Sequence, residues 1–195
     1  MIIKKTTKEI LAESLQELSL NKSVDKITIK EIAQNCGMTA TTFYNHFADK
    51  YELLAWIYTT AIAPYYGKLG DGVSWRECVR QSSLILLGNR KFYRNALKNT
   101  IGQTSFRYTT NNYAIDLLMA RIRLLTGSVE IPEEVQFYVR FYMRAISESI
   151  NDWFLEGGII PLEEFTDLLV HGMPMVLQDC KDKHGNLIFR DNSSK

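Results

Sequence analysis

Residues 39–46 read Thr-Ala-Thr-Thr-Phe-Tyr-Asn-His, and Lys50 follows four positions on. Apart from Phe43 and the small Ala40, every side chain in that run carries a hydrogen-bonding atom: the Thr39, Thr41 and Thr42 hydroxyls, the Tyr44 phenol, the Asn45 amide and the His46 imidazole. These groups suit recognition of a polar surface. A threonine donates, accepts and offers a methyl group to thymine, while tyrosine, histidine and lysine hold phosphates. Bond-breaking chemistry has no comparable signature. The chain contains no G-x-S-x-G, no H-E-x-x-H, no P-loop and no dinucleotide glycine pattern. Its three cysteines, Cys36, Cys78 and Cys180, are far apart and form no C-x-x-C or zinc spacing. Cys180 and His184 make a C-x3-H pair with no second half. No metal ion and no cofactor are expected.

A polar run of this kind needs an apolar platform. Thr28 and Glu31 have the spacing of a capping box, which opens a helix. Ile29, Ile32, Ala33 and Cys36 then recur at i, i+3, i+4 and i+7, one apolar face. Gly37 stands where a left-handed residue ends a helix, and Thr39 caps a short helix over 40–46. Phe43 and Phe47 face inward and the polar residues face outward. A short helix displayed in this way fits a major groove.

These residues carry a resemblance. The capped helix, the glycine turn, T-x-x-T-F-Y-x-H-F and then D-K-x-x-L-L are similar to the DNA-binding region of the TetR family of transcriptional regulators, over Thr6 to about Leu54. Within that family, VDKITIKEIAQNCG and FYNHFADKYELL look most like regulators of dihydroxyacetone kinase operons. The resemblance implies Thr28, Tyr44, His46 and Lys50 on DNA phosphates, with Thr41 and Thr42 toward bases. Thr39, Ala40 and Asn45 belong to the same surface. Ala40 replaces a longer polar residue and Asn45 a second aromatic, so those two contacts differ from the family pattern. The resemblance also implies a palindromic double-stranded operator read by a homodimer. The interface would be a four-helix packing of the last two long helices through Tyr138, Ile146, Trp153, Phe165, Leu169 and Met173. It implies an effector cavity lined by Ser83, Tyr93, Gln103, Phe106, Tyr113, Met119 and Tyr142, for a small molecule or, in the suggested branch, a partner protein. The competing reading is a small all-α enzyme or interaction scaffold. Repressor and activator are not distinguished.

Composition agrees with a folded regulator and adds little. The 195 residues are 46% hydrophobic and 23% charged, with net charge +1. Residues 1–50 hold seven lysines against six acids, again +1, so DNA binding must rest on where charges sit. Lys4, Lys5 and Lys8 cluster near the start. No apolar run approaches a membrane span or a signal peptide, so a cytoplasmic protein without membrane contact is expected.

The remaining pattern is helical. Thr6 and Glu9 open a first helix over about 7–20, and Asp49 and Glu52 open a fourth that Pro64 should kink or that Gly67–Gly72 should end. Further helices are expected at 75–88 (with Val79, Leu84 and Leu87 inside), 89–99, 109–126, 132–156 and 161–179, the last disturbed at Gly172 and Pro174. Arg90, Arg94 and Lys98 form a basic stripe, read as a solvated face or a second phosphate contact. The expected fold is all-α with about nine helices. It divides into a helix-turn-helix domain at 1–50, an effector and dimerisation domain at 51–180, and a mobile tail at 181–195.

Overall fold

The computed structural model describes residues 5–189. Among the described residues there are ten α-helices and two 3-10 turns, Val24–Lys26 and Gly102–Thr104. Among the described residues there is no strand, only two isolated bridges, Leu69 with Val73 and Lys181 with Leu187. The expected all-α class holds. Lys4 of the N-terminal lysine cluster and residues 190–195 of the expected tail lie outside the described residues.

The helices group into two compact units. The first takes residues up to Tyr58 together with Asn89–Thr109. It holds α1 (Thr7–Leu18), α2 (Ile29–Asn35), α3 (Ala40–Tyr44), the first half of α4 (Lys50–Gly67) and α6 (Arg90–Lys98). The boundary expected at residue 50 is therefore passed, and a distant segment joins the unit. One reason is the Asn95 side chain on α6. Its Nδ2 donates to the carbonyls of Ser19 and Lys22, each at 2.8 Å, and its Oδ1 accepts from Val24 N–H at 3.0 Å and Asn99 Nδ2 at 2.9 Å. Both amide protons and the carbonyl oxygen are occupied, so α6 is pinned to the turn after α1. Leu11, Leu15, Ile27, Ile32, Phe43, Leu53 and Leu54 form the buried core beside α1 to α4. Tyr58, Tyr93 and Phe106 add an aromatic cluster with ring centroids 5.6–5.9 Å apart.

The second unit takes Thr59–Gly88 and the chain from Thr110 onward. It contains the second half of α4, α5 (Trp75–Gly88), most of α7 (Phe106–Thr126), α8 (Glu133–Leu155), α9 (Leu162–His171) and α10 (Met175–Gln178). Helix α4 runs through Pro64 without ending, and stops at Gly67. Thr60, whose carbonyl has no amide proton to accept from at Pro64, is an exposed residue. The buried stripe of α5 is rotated from the expected one. Trp75, Cys78, Val79, Ser82, Ser83 and Leu86 face in, while Leu84 and Leu87 are half-buried. The rotation is tolerable because Ser82 and Ser83 return their hydroxyls to the Cys78 and Val79 carbonyls. On the other face Arg76 pairs with Glu163 and Asp167, and Arg80 with Glu163, at 2.7–2.9 Å, tying α5 to α9.

Residues 181–189 depart from the expected mobile tail. Lys183 N–H donates to the Leu125 carbonyl at 3.0 Å, and Ile188 and Phe189 are buried. The Phe189 ring meets Trp75 edge-on at 5.7 Å. Two apolar side chains suffice to hold this short segment against the core.

Candidate nucleic-acid interface

Helix α2 begins at Thr28 with both halves of a capping box. The Thr28 hydroxyl accepts from Glu31 N–H at 3.2 Å, and the Glu31 carboxylate takes Thr28 N–H at 2.8 Å. It ends in a Schellman pair, with Gly37 N–H on the Gln34 carbonyl and Met38 N–H on that of Ala33. Gly37 adopts φ +71°, a left-handed conformation that a side chain would strain. Thr39 then caps α3 by accepting from Thr42 N–H at 3.1 Å. These local bonds fix the angle between α2 and α3 from both sides of the turn.

Helix α3 is shorter than the expected 40–46. Asn45 is its C-cap, and His46 lies in the following turn with its N–H on the Phe43 carbonyl. Phe43 is fully buried and Phe47 nearly so, with ring centroids 5.8 Å apart, and Phe47 also meets Trp56. Above that platform Thr28, Thr39, Ala40, Thr41, Tyr44 and Asn45 are exposed, and Thr42 and His46 half-buried. Tyr44 is 58% exposed, a large exposure for a tyrosine on a five-residue helix. The Thr42 hydroxyl lies 3.0 Å from that of Thr39, whereas Thr41 points its hydroxyl to no protein partner.

Lys50 corrects the reading that placed it on phosphate. Its ammonium donates to the carbonyls of Val24, Asp25 and Ile27 at 2.9, 2.5 and 2.7 Å. An ammonium has three protons, and three carbonyls at the end of a 3-10 turn use them all. Desolvation lowers the Lys50 pKa, with Asp25 opposing. Lys50 therefore clamps the entry to α2. Asp49 caps α4 by accepting from Tyr51 and Glu52 N–H, and Glu52 reaches back to Ala48 N–H, one residue further than expected.

The residues expected around an effector cavity divide between the units. Tyr93 and Phe106 belong to the aromatic cluster of the first, where burial pushes the Tyr93 phenol up. Gln103 is exposed on a 3-10 turn of the same unit, and Tyr113 is exposed on α7. In the second unit Ser83 and Met119 are core residues. The Tyr142 hydroxyl is occupied, donating to the Leu169 carbonyl at 2.8 Å and accepting from Trp75 Nε1 at 3.3 Å. Burial pushes its pKa up to about 12. Sequence reasoning missed Asn111 on α7, whose buried Oδ1 has no hydrogen-bond partner. No pattern in the sequence distinguishes it from Asn112.

Of the residues expected at a dimer interface, Ile146, Trp153, Phe165 and Met173 are buried within the chain. Trp153 and Phe165 stack in parallel at 4.8 Å, and Trp153 Nε1 donates to the Ile160 carbonyl. Tyr138 and Leu169 are half-buried. The large apolar side chains exposed on α8, α9 and α10 are Phe137 and Phe141, stacked at 6.3 Å, Leu168 and Met175.

Comparison with known proteins places this geometry. The profile of the bacterial regulatory proteins of the tetR family matches residues 10–57, and a transcriptional regulator C-terminal region of the same family matches residues 74–173, half of the chain. The chain belongs to the TetR family. TetR-family regulators bind operator DNA and act as dimers. The HTH-type dhaKLM operon transcriptional activator DhaS of Lactococcus lactis subsp. lactis (strain IL1403) is 30% identical over 81 residues, 42% of this chain and 41% of that protein. An uncharacterized HTH-type regulator of Haemophilus influenzae is 35% identical over 49 residues, 25% of this chain and 24% of that protein. The chain thus spans less than half the length of these two curated relatives. Among solved structures, the dihydroxyacetone kinase operon activator DhaS superposes with a TM-score of 0.53 at 21% identity, covering 85% of this chain and 92% of that one. NalD, a repressor of a multidrug efflux pump in Pseudomonas aeruginosa, gives 0.53 at 16%, covering 86% and 94%. At such identities these superpositions show the fold. No helix among the described residues is long and apolar enough to cross a membrane, and no described cluster of His, Cys, Asp or Glu could hold a metal ion.

Proposed function

We propose that α3 enters the major groove of a palindromic operator, with Thr41 and Thr42 toward bases and Thr28, Tyr44 and His46 on phosphates. The observation that carries this reading is the run of exposed polar groups held over a buried Phe43 by caps at both ends of the α2–α3 turn. Thr39, Ala40 and Asn45 complete the surface, and Lys50 holds it in shape from beneath. Two copies pair through α8 and α9 by their exposed face, Phe137, Phe141 and Leu168, so that two copies of α3 meet half-sites about one helical turn apart, or a multiple of it. DNA affinity responds to an effector, a small molecule or a partner protein, acting on the second unit. The likeness to DhaS supports a dihydroxyacetone kinase operon as the regulated locus, and binding to an operator would put its place of action in the cytoplasm.

The test is selection of duplexes from a random pool by the full chain, followed by footprinting. A two-fold symmetric site is expected. On that site Thr41→Ala should lose roughly 1–3 kcal/mol of binding, with little change on scrambled DNA. Equal loss on both duplexes would move Thr41 to the phosphates, and failure to enrich any sequence would sink the operator reading.

A further inference from the structure

An open surface groove of about 320 Å³ lies in the first unit between the turn after α1 and helix α6. One wall is Ser19–Ser23 and the other is the α6 face carrying Lys91, Arg94 and Lys98. With Lys22 opposite, four cations line the groove and no carboxylate does. The basic stripe read from sequence, Arg90, Arg94 and Lys98, is turned slightly: Lys91 and not Arg90 lines the groove. Three Asn95 hydrogen bonds cross between the two walls and keep them at a fixed spacing.

Lys22 has a second role. Its ammonium lies 2.6 Å from Glu31 Oε1, and the other Glu31 oxygen holds Thr28 N–H and the Thr28 hydroxyl at 2.8 Å each. Lys22 is the first cause of the low Glu31 pKa, about 2. One lysine is thus shared between the groove and the N-terminal cap of α2, which stands at the DNA-facing surface. We propose that the groove binds a small phosphorylated anion and that this anion weakens DNA binding by drawing Lys22 away from Glu31. Several cations around a space of this size favour a multiply charged group over a single carboxylate. With Lys22 withdrawn, the Glu31 charge at the start of α2 is less neutralised and repels an incoming phosphate. By linkage, DNA weakens the anion to the same degree.

The binding half stands without any DNA, whereas the coupling half rests on the operator reading. Pyrophosphate is the probe, titrated calorimetrically into the full chain at constant ionic strength. Wild type should bind it saturably, and Lys91→Ala/Lys98→Ala should raise its Kd about tenfold. Both lysines are exposed, so the melting temperature without pyrophosphate should not move. On a selected duplex, saturating pyrophosphate should weaken wild-type binding more than chloride of equal ionic strength does, and Lys22→Gln should abolish that response. Equal pyrophosphate binding by wild type and the double variant would overturn the site. So would a double variant that, without pyrophosphate, binds all duplexes more weakly with a shallower salt slope, because its lysines would then be contacts to DNA phosphate. Bound pyrophosphate with no effect on the duplex would overturn the coupling while leaving the operator reading intact.

Discussion

Helix α3 and helix α8 both expose large aromatic side chains, and the two exposures differ in kind. Tyr44 stands beside the hydroxyls and amide of Thr41 and Asn45, each able to trade hydrogen bonds with water or a polar partner. Phe137 and Phe141 stack on each other with no polar atom to offer. Water solvates the first surface well and the second poorly, so leaving the second uncovered has a free-energy cost that a matching apolar surface removes. The comparison separates a surface suited to a hydrated polar partner from one suited to an apolar partner.

The largest expected effect tests the platform under α3. Phe43→Ala should cost about 3–5 kcal/mol of stability, because Phe43 is fully buried, and DNA binding should fall in step with melting temperature. Binding lost at unchanged stability would mean that Phe43 itself touches DNA. Next comes the apolar surface. Phe141→Asp should weaken the dimer by about 2–4 kcal/mol in sedimentation experiments while the separated chain keeps its helicity. The same change at Trp153 should unfold the chain instead, since Trp153 is packed on Phe165. Identical outcomes for the two variants would erase the distinction between core and interface.

A smaller effect is expected at Lys50. Replacement with Gln leaves up to three carbonyls without their charged donor and should cost roughly 1–3 kcal/mol of stability. The salt slope of DNA binding should stay unchanged. A slope lowered by about one unit would return Lys50 to the phosphates. Smallest is Glu31, whose pKa is depressed from 4.5 to about 2 by Lys22 and then Thr28. A carboxylate with a depressed folded pKa stabilises the fold above its unfolded pKa, and that contribution is lost as pH falls toward the folded value. Acid unfolding of Glu31→Gln followed by circular dichroism should therefore be less steep than wild type between pH 4.5 and about 2. Parallel curves would show that Glu31 contributes nothing through its charge.

The parts of the molecule legible in the sequence were those whose partners lie within four residues. Thr6 with Glu9, Thr28 with Glu31, and Thr39 before α3 all cap as their spacing requires. The long helices were legible from their apolar period. The phase of α8 was not, because that helix carries apolar residues on a buried face and on an exposed one, and periodicity assigns neither stripe. Trp153 and Phe141 are equally apolar, and only coordinates show which is covered. The role of Lys50 was hidden for a different reason: its partners are backbone carbonyls more than twenty residues earlier, which leave no trace in residue identity. The buried serines of α5 misled the reading of that helix because a hydroxyl returned to its own helix behaves as part of the core.

The Asn95 amide has a consequence for the order in which the protein comes into being. It joins a turn of the chain to a helix made 71–76 residues later. On a ribosome adding about 5–20 residues per second, that interval lasts on the order of 4–15 s. During it the DNA-reading helices have their own caps, but the Ser19 and Lys22 carbonyls await their donor. A nascent fragment ending at residue 58 thus lacks the Asn95 brace on the turn after α1.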